Sequence, residues 1–396
     1  MNLNLVLPSW ACRALWIATF GAAVLSGCGG GVGSGGTGAF ASGPITGFGS
    51  VIVGGVRFDD TDASVEDGEG GRRSRDELRL GMTVDIDSSA ISADGGGELA
   101  ARASRIRVES ELVGLVGAVD TAGGSFMLLG QRVTVDASTV FVERLAGGLA
   151  GLNAGQALEV YAVYDPVAAR YRATRVESST LLAGLRLRGP LAQVDTAAQT
   201  LRVGSATYSY AGASAVPTGL AAGQFVRLRL ALAVLPTPRW VVQSFATALQ
   251  PLADADGVKV EGLISAFVSS SAFSVNGRPV DASAASFANG SAGLAPGVRV
   301  EVEGSLRLGL LRASKVAIVS DEELRDRGFE LNGPIAAVNP AQATIVLRGV
   351  TVSTARSDLR LDNGGLADLL VGRNVELSGV LAADRRTLEA TRIRFR

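Results

Sequence analysis

The sequence of 396 residues contains no histidine. This absence excludes serine and cysteine nucleophiles activated by imidazole, imidazole-based zinc sites and histidine general bases. An enzyme built on this chain would depend on carboxylates or on lysine, and lysine occurs only at Lys259 and Lys315. The patterns G-x-S-x-G, S-x-x-K and the P-loop are also missing. We therefore expect a protein that is not an enzyme and that has no cofactor or metal.

Aromatic residues make up only 5% of the chain, and the formal net charge is -1. Proteins that bind nucleic acid through small β-barrels use a basic groove with stacking aromatic rings. This composition provides neither, so we expect no nucleic-acid partner. The two cysteines are Cys12 and Cys28. Because Cys12 lies in an N-terminal leader, the mature chain would keep one cysteine and could form no internal disulfide.

The leader is an apolar run at 14–25 behind the single cation Arg13. Its length is typical of a signal-peptide core and too short for a membrane-spanning helix. The following Leu25-Ser26-Gly27-Cys28 resembles the lipobox of bacterial lipoproteins. The resemblance implies a signal peptide at 1–27, acylation (palmitate) at Cys28, and, with Gly29 next, an outer-membrane location. The alternative is an ordinary secretory peptide in which Cys28 has no role.

Residues 28–42 are rich in glycine and contain a formal G-x-G-x-x-G at Gly31, Gly33 and Gly36. A dinucleotide site needs a buried strand before this motif and a helix after it, because the helix N-terminus holds the pyrophosphate. The sequence provides neither element. We interpret 28–42 as a flexible tether.

The rest of the chain contains five copies of one pattern, roughly 70 residues apart. Two markers recur in register, which makes coincidence an unsatisfactory explanation. We predict units at 43–113, 114–183, 184–250, 251–320 and 330–396, with a charged linker at 321–329. The starts are Gly43-Pro44-Ile45, Gly117-Ala118-Val119, Gly189-Pro190-Leu191, Gly262-Leu263-Ile264 and Gly333-Pro334-Ile335, and the second markers are Leu80-Gly81, Leu152-x-x-Gly155, Leu220-x-x-Gly223, Leu294-x-x-Gly297 and Leu370-x-Gly372.

The sequence pattern of each unit predicts short strands. In unit four, Asn276-Gly277 between alternating apolar residues favours a type I′ hairpin turn, and 298–303 alternates apolar and polar residues. Five such strands predict an all-β, partly open OB-like barrel, with β-sandwich-like paired units as the alternative. The pattern resembles tandem-repeat proteobacterial lipoproteins made of small OB-like β-domains of unknown function. We expect neighbouring units to pack through Leu181-Leu182 and Leu310-Leu311.

Two acidic pairs, Asp85/Asp87 and Glu301/Glu303, lie on fourth strands at i, i+2 spacing, which places both carboxylates of a pair on one face. We interpret them as a solvated face and not as catalytic carboxylates, which must face each other across a substrate. Asp254 and Asp256 lack the later ligands of a calcium loop and are interpreted as a turn. The tyrosines at 161, 164, 171, 208 and 210 and Trp240 could stack sugars, but we expect them to pack in the interior.

Charged columns recur between units on the fourth and fifth strands. We predict structural ion pairs across these strands in units one, two, four and five, with Arg227 of unit three free to point elsewhere. Together these features predict a lipid-anchored, non-enzymatic envelope protein that acts as a binding or scaffold module. It would contact the membrane through its N-terminal lipid and a protein or glycan as partner; a carboxylate-dependent glycan-active or glycan-binding surface protein is the alternative. The predicted pairs are Asp85 with Arg105, Glu159 with Arg175, Glu301 with Lys315, and Glu376 with Arg392.

Overall fold

Alternation of buried and exposed residues defines the strands throughout the computed structural model, which describes residues 38–396 except 96, 143, 146, 182–183, 234–238, 247–248 and 250. In the fourth strand of unit four, Val300 and Val302 are buried, while Glu301 and Glu303, which alternate with them, point outward. This two-residue period puts one face of each strand into a core. The prediction of an all-β chain is confirmed.

The strand bounds of the first three units follow the repeat pattern. Unit one contains β1 (Gly38–Phe48), β2 (Val51–Val53), β3 (Val56–Asp59), β4 (Ser64–Asp67), β5 (Arg72–Arg73), β6 (Thr83–Ser89), β7 (Ser92–Ala93) and β8 (Leu99–Val108). Unit two contains β9 (Leu112–Asp120), β10 (Ser125–Leu128), β11 (Gln131–Thr134), β12 (Val140–Phe141), β13 (Ala157–Asp165) and β14 (Arg170–Ser178). Unit three contains β15 (Leu185–Asp195), β16 (Thr200–Val203), β17 (Ala206–Ser209), β18 (Phe225–Ala233) and β19 (Arg239–Ala246).

The last two units are separated by a short helix. Unit four contains β20 (Ala255–Ser269), β21 (Ala272–Val275), β22 (Arg278–Asp281), β23 (Ser286–Phe287), β24 (Arg299–Arg307) and β25 (Leu310–Ile318), and helix α1 (Asp321–Arg327) follows it. Unit five contains β26 (Phe329–Asn339), β27 (Thr344–Leu347), β28 (Val350–Ser353), β29 (Arg360–Asp362), β30 (Asn374–Leu381) and β31 (Leu388–Phe395). Short 3-10 turns lie at Arg75–Glu77, Gly148–Gly151, Pro340–Gln342 and Leu366–Asp368.

Five main strands close into a barrel in every unit. In unit four, β20 pairs antiparallel with both β21 and β24, β21 pairs with β22, and β24 pairs with β25. The parallel pairing of β22 with β25 closes the ring. Counted by main strands, the order around the ring is therefore 1-2-3-5-4, returning to 1. Units one, two, three and five have the same order, closed by β3–β8, β11–β14, β17–β19 and β28–β31. The OB-like barrel prediction is confirmed.

The two sequence markers have clear structural roles. Asn276 and Gly277 both have positive φ, 48° and 83°, as the predicted type I′ turn between β21 and β22 requires. The glycine of the second marker donates its backbone N–H to a carbonyl of the first strand, at 2.8 Å in every unit. This bond fixes the turn before the fourth strand against the first strand. The donor and acceptor pairs are Gly81 with Ile45, Gly155 with Val116, Gly223 with Leu191, Gly297 with Ile264, and Gly372 with Ile335.

The cores of the units merge in pairs. One apolar cluster joins units one and five and includes Val140 and Tyr161 of unit two, a second joins units two and three, and a third fills unit four together with Phe40 of unit one. Leu311 lies in the apolar cluster of its own unit four, and the predicted packing between units through Leu181-Leu182 and Leu310-Leu311 stays a prediction. Leu182 lies outside the described residues. The units are thus paired through their cores while each keeps its own barrel.

Unit one lies at the centre of the assembly because its first strand is shared. The first half of β1, Ala39 to Ser42, pairs in parallel with β20 of unit four. Its end, Gly47 and Phe48, pairs in parallel with β26 of unit five. Strands β9 and β15 join units two and three. Contacts between units therefore include main-chain hydrogen bonds as well as side chains.

Several predicted boundaries shift. The tether was predicted to extend to residue 42, but β1 already begins at Gly38, because Gly38–Pro44 pairs with β6. The charged linker is the helix α1, which Ser320 caps by accepting a hydrogen bond from the Glu323 N–H. In the described part of the chain, no helix has the length and apolarity needed to span a membrane. Cys28, the predicted acylation site, lies outside the described residues.

Candidate functional site

The predicted ion pairs within units are wrong in their pairing. In the strand register, Asp85 faces Arg107, Glu159 faces Glu177, Glu301 faces Ala317 and Glu376 faces Arg394. In each unit the predicted base, which is Arg105, Arg175, Lys315 or Arg392, lies two residues before the residue that faces the acid. A shift of two residues leaves every side chain on the same face, so alternation in the sequence cannot detect it.

The four bases of the fifth strands form ion pairs with carboxylates other than the predicted ones. Arg105 pairs with Asp87 at 3.2 Å and Lys315 pairs with Glu303 at 3.3 Å, so in these two units the second acid of the pair is the true partner. Arg175 pairs with Glu177 on its own strand, and Arg392 pairs with Asp362 on β29. The fifth-strand column is therefore neutralised within its own unit.

The acidic column of the fourth strands instead connects different elements of the assembly. Asp85 is buried, and its carboxylate lies 2.7 Å from Arg278 of unit four. The interpretation of these acids as a solvated face is thus wrong for Asp85, and Glu301 is mostly covered as well, whereas Asp87 and Glu303 keep 29% and 35% of their side chains exposed. The other partners are Arg73 of unit one and Arg186 of unit three for Glu159, Glu109 of unit one for Arg227, Arg327 of α1 for Glu301, and Arg57 of unit one for Glu376.

Arg278 changes the acidity of its partner. Burial by itself would raise the pKa of Asp85, but the attraction of Arg278, a hydrogen bond with Ser42 and the charge of Arg107 together outweigh burial and lower it. Arg278 also lies over the ring of Phe40, 5.4 Å from its centroid. Arg278 of unit four therefore contacts two residues of unit one, the Asp85 carboxylate and the Phe40 ring.

A second buried charge cluster joins units one and three. Arg188 contacts Glu111 at 2.7 Å and Glu109 at 3.6 Å, and Arg227 donates to Glu109. Burial is the main cause of the raised pKa of Glu111, and the nearby Glu109 adds to it while Arg188 opposes it. The space beside this cluster is only about 40 Å³. We interpret it as a structural junction, because it leaves no room for more than a water molecule or two.

A cleft of about 610 Å³ lies against α1, which forms one of its walls, and we call it the helix cleft. Residues of units one, two, four and five form the other walls, among them Thr46, Ser138, Lys259 and Phe329. A cavity of this size with a few converging polar groups is the usual form of a ligand site. Since four units contribute to it, the site exists only in the assembled chain.

The charges in the helix cleft are balanced. Four cationic and four acidic side chains line it, and most are paired with one another. Lys259 lies 2.8 Å from Glu301, Arg299 lies 3.2 Å from Glu261, and Arg327 reaches both carboxylates, at 3.3 Å from Glu301 and 3.5 Å from Glu261. The eight residues are Lys259, Arg299, Arg325, Arg327, Glu261, Glu301, Asp326 and Glu330.

Two of these carboxylates face each other. Glu261 on β20 and Glu301 on β24 are direct cross-strand partners in unit four. The strand pattern of the sequence indicates Glu301 but does not indicate Glu261, Arg299 or Arg327 as residues of a site. A signal was present, because both lysines of the chain fall in unit four and one of them, Lys259, lines the cleft. The sequence could not reveal that α1 folds back over this unit.

The candidate aromatic residues do not line the cleft. Tyr161, Tyr171 and Tyr208 are fully buried, and Tyr210 is nearly so. The Tyr171 hydroxyl donates to the Arg188 carbonyl at 2.8 Å, and the Tyr208 hydroxyl donates to the Leu129 carbonyl at 2.7 Å. Tyr164 packs edge-on against Tyr171, and Trp240 is partly buried against the same cluster. Interior packing, as predicted, is the role of these tyrosines.

Comparison with known proteins agrees with the repeated architecture. Three of the five units match one family model. The model of a domain of unknown function, DUF5666, matches residues 113–177, 261–317 and 332–394, which correspond to units two, four and five. Units one and three lie outside these matches but have the same strand order. The chain is thus a tandem array of OB-like β-domains, three of which match the model of this domain of unknown function.

Other comparisons add little. A Drosophila chain described as Unr CSD456 is similar at 11% sequence identity and a TM-score of 0.15, covering 59% of this chain and 100% of that chain. So low a TM-score carries no information about ligand or activity. The comparison with curated proteins found no match.

Proposed function

We propose that this protein is a lipid-anchored, non-enzymatic binding module of the bacterial outer membrane, and that its ligand occupies the helix cleft. The observation that carries the proposal is the construction of the cleft from four units and α1. Ion pairs between units, such as Asp85 with Arg278 and Arg57 with Glu330, fix those walls relative to one another. Repetition of one barrel thereby supplies a composite site that no single unit could form.

The balanced charge of the cleft favours an uncharged polar ligand. Lys259, Arg299 and Arg327 already have carboxylate partners within 4 Å, so an anionic ligand would have to displace a partner from a pair. Neutral hydroxyl groups can instead add to such pairs as further donors and acceptors. Neutral sugars fit this description, which supports glycan binding as the first ligand class to test.

A glycan-active enzyme is the second candidate, favoured by the cross-strand position of Glu261 and Glu301 in the cleft. A glycosidase needs one protonated and one ionised carboxyl group. In this cleft Arg327 forms ion pairs with both carboxylates, and Arg299 and Lys259 each pair with one of them, so neither carboxylate is without a cationic partner. The arrangement therefore supports binding more strongly than hydrolysis.

The test is binding of neutral envelope oligosaccharides to the purified full chain. Ala137→Trp would fill the cleft from an exposed position on unit two, while Ala211→Trp adds the same ring to an exposed position of unit three outside it. We expect loss of binding in the first variant and unchanged binding in the second. Equal binding by both variants would exclude the helix cleft as the site. Release of new reducing ends by the unmodified protein would overturn the non-enzymatic proposal.

A further inference from the structure

Arginine side chains surround a second cavity, of about 490 Å³, between units one, two and five. We call it the arginine pocket. It is distinct from the helix cleft in composition, although Leu381 lines both. Its six arginines are Arg75, Arg79, Arg144, Arg175, Arg348 and Arg386.

The positive charge of the arginine pocket is not neutralised by its own lining. Among the described residues of the lining, two are acidic, Asp60 and Asp76, against six arginines. Asp60 already pairs with Arg75 at 3.6 Å. Since the whole chain has a net charge of -1, this local excess does not follow from a basic composition. A concave site with one sign of charge concentrates ligands of the opposite sign.

Three of these guanidinium groups have no carboxylate partner among the residues that the structure describes. Arg79 donates only to the backbone carbonyls of Asp76 and Leu78, and Arg348 donates to the carbonyl of Asn332. Arg144 is exposed and has no hydrogen bond or ion pair with the described residues. These groups keep donors available, and the planar guanidinium fork fits a carboxylate or phosphate in a bidentate manner.

The rest of the lining is apolar. Phe48, Val142, Val350 and Leu381 are partly exposed residues of three different units, and all of them line the pocket above a buried layer of leucine and valine. An inorganic anion would use the arginines alone and leave this apolar surface uncovered. A ligand that combines one anionic group with an apolar chain would use both parts of the lining.

We propose that the arginine pocket binds a single-chain amphipathic anion, with its carboxylate or phosphate monoester at the arginines and its apolar chain against the leucine, valine and phenylalanine lining. This inference is independent of the neutral ligand proposed for the helix cleft, because the two cavities differ in charge. Arg144 and Arg79 contribute to recognition of the anionic group, and chain length determines how much of the apolar lining is covered.

The experiment is calorimetric titration of the purified full chain, in a neutral sugar-based detergent, with alkyl phosphates and alkyl carboxylates of six to ten carbons. We expect affinity to rise about fourfold for each added CH2 group until the apolar lining is covered. Inorganic phosphate and a neutral alkyl glucoside of equal chain length serve as ligands that each match one part of the pocket. Both should bind at least roughly tenfold more weakly than the alkyl phosphate.

Variants then locate the site. Arg144→Gln removes a guanidinium that has no partner among the residues that the structure describes, so we expect no folding defect and roughly tenfold weaker binding of the alkyl anions. Arg312→Gln removes the same charge from an exposed position of unit four and should leave binding unchanged. Equal loss in both variants would show a general charge effect and overturn the proposal.

The ligand series also tests the amphipathic character. If the carboxylates and phosphates of equal chain length both bind, the shared anionic group is what the arginines recognise. If inorganic phosphate binds as tightly as the longest alkyl phosphate, the apolar lining takes no part and the proposal is wrong. Absence of binding by every anion in the series would exclude it as well.

Discussion

Arg227 of unit three donates a hydrogen bond to the carboxylate of Glu109, at the end of unit one, and both side chains are buried. Arg227 occupies the position that an acid occupies in each of the other four units. A base thus replaces an acid at this position in unit three, and its partner in unit one is an acid, Glu109. A difference in charge between the copies therefore marks a contact between two units.

Removal of either partner should be strongly destabilising, because it leaves a buried charge without its counterion. We expect Arg227→Met to lower the free energy of unfolding by about 3 kcal/mol. The double variant Arg227→Met with Glu109→Leu should recover much of this loss, since Arg188 keeps Glu111 as a partner. Urea denaturation of the four proteins in the double-mutant cycle measures the coupling. Additive losses would mean that the pair contributes no coupling.

The marker glycines provide a matched pair for testing contacts between units. Gly81 and Gly372 have similar φ values, +80° and +85°, but a Cβ at Gly81 would lie 2.5 Å from the Thr174 carbonyl of unit two, whereas a Cβ at Gly372 meets nothing within 4 Å. Gly372→Ala should cost only the backbone strain of about 1–2 kcal/mol. Gly81→Ala should cost roughly 1–3 kcal/mol more. Equal denaturation midpoints would argue against close packing of units one and two.

Acid should weaken the junction between units one and four. The pKa of Asp85 is lowered in the folded chain, so its contribution to stability is complete above the unfolded value of about 4 and is lost as the pH falls through the folded value. Asp85→Asn, which leaves Arg278 without its carboxylate, should reduce the free energy of unfolding by about 3 kcal/mol at neutral pH. The difference from the unmodified protein should shrink below about pH 4. A difference that stays constant down to pH 2 would contradict the assignment.

Membrane attachment tests the lipid anchor. The Leu25-Ser26-Gly27-Cys28 pattern predicts that globomycin and Cys28→Ala each block processing and that the unmodified protein partitions into the detergent phase. Cys12→Ala is the matched control, because Cys12 lies in the segment that processing removes. Normal processing and full solubility of Cys28→Ala would exclude the lipoprotein proposal.

Much of the fold could be predicted from local signals. The Asn276-Gly277 turn and the alternation at 298–303 indicate strands and a hairpin because their physical causes, backbone φ and a two-residue side-chain period, act over a few residues. The predicted register between the fourth and fifth strands differs from the observed one by two residues. A two-residue period cannot reveal this difference, because a shift of two residues leaves every side chain on the same face. The predicted partners Glu301 and Lys315 are therefore neighbours on one face and not a pair.

The composition limits and the five copies can be read directly from the amino-acid sequence, and the strands and turns can be predicted from it because they depend on residues close together in the chain. Three features are visible only in the folded chain: β1 pairs with two other units, Asp85 is buried against Arg278, and α1 closes a cleft over Glu261 and Glu301. These relationships join residues far apart in sequence. Their free energy comes from desolvation and charge pairing at surfaces that exist only once the barrels have formed.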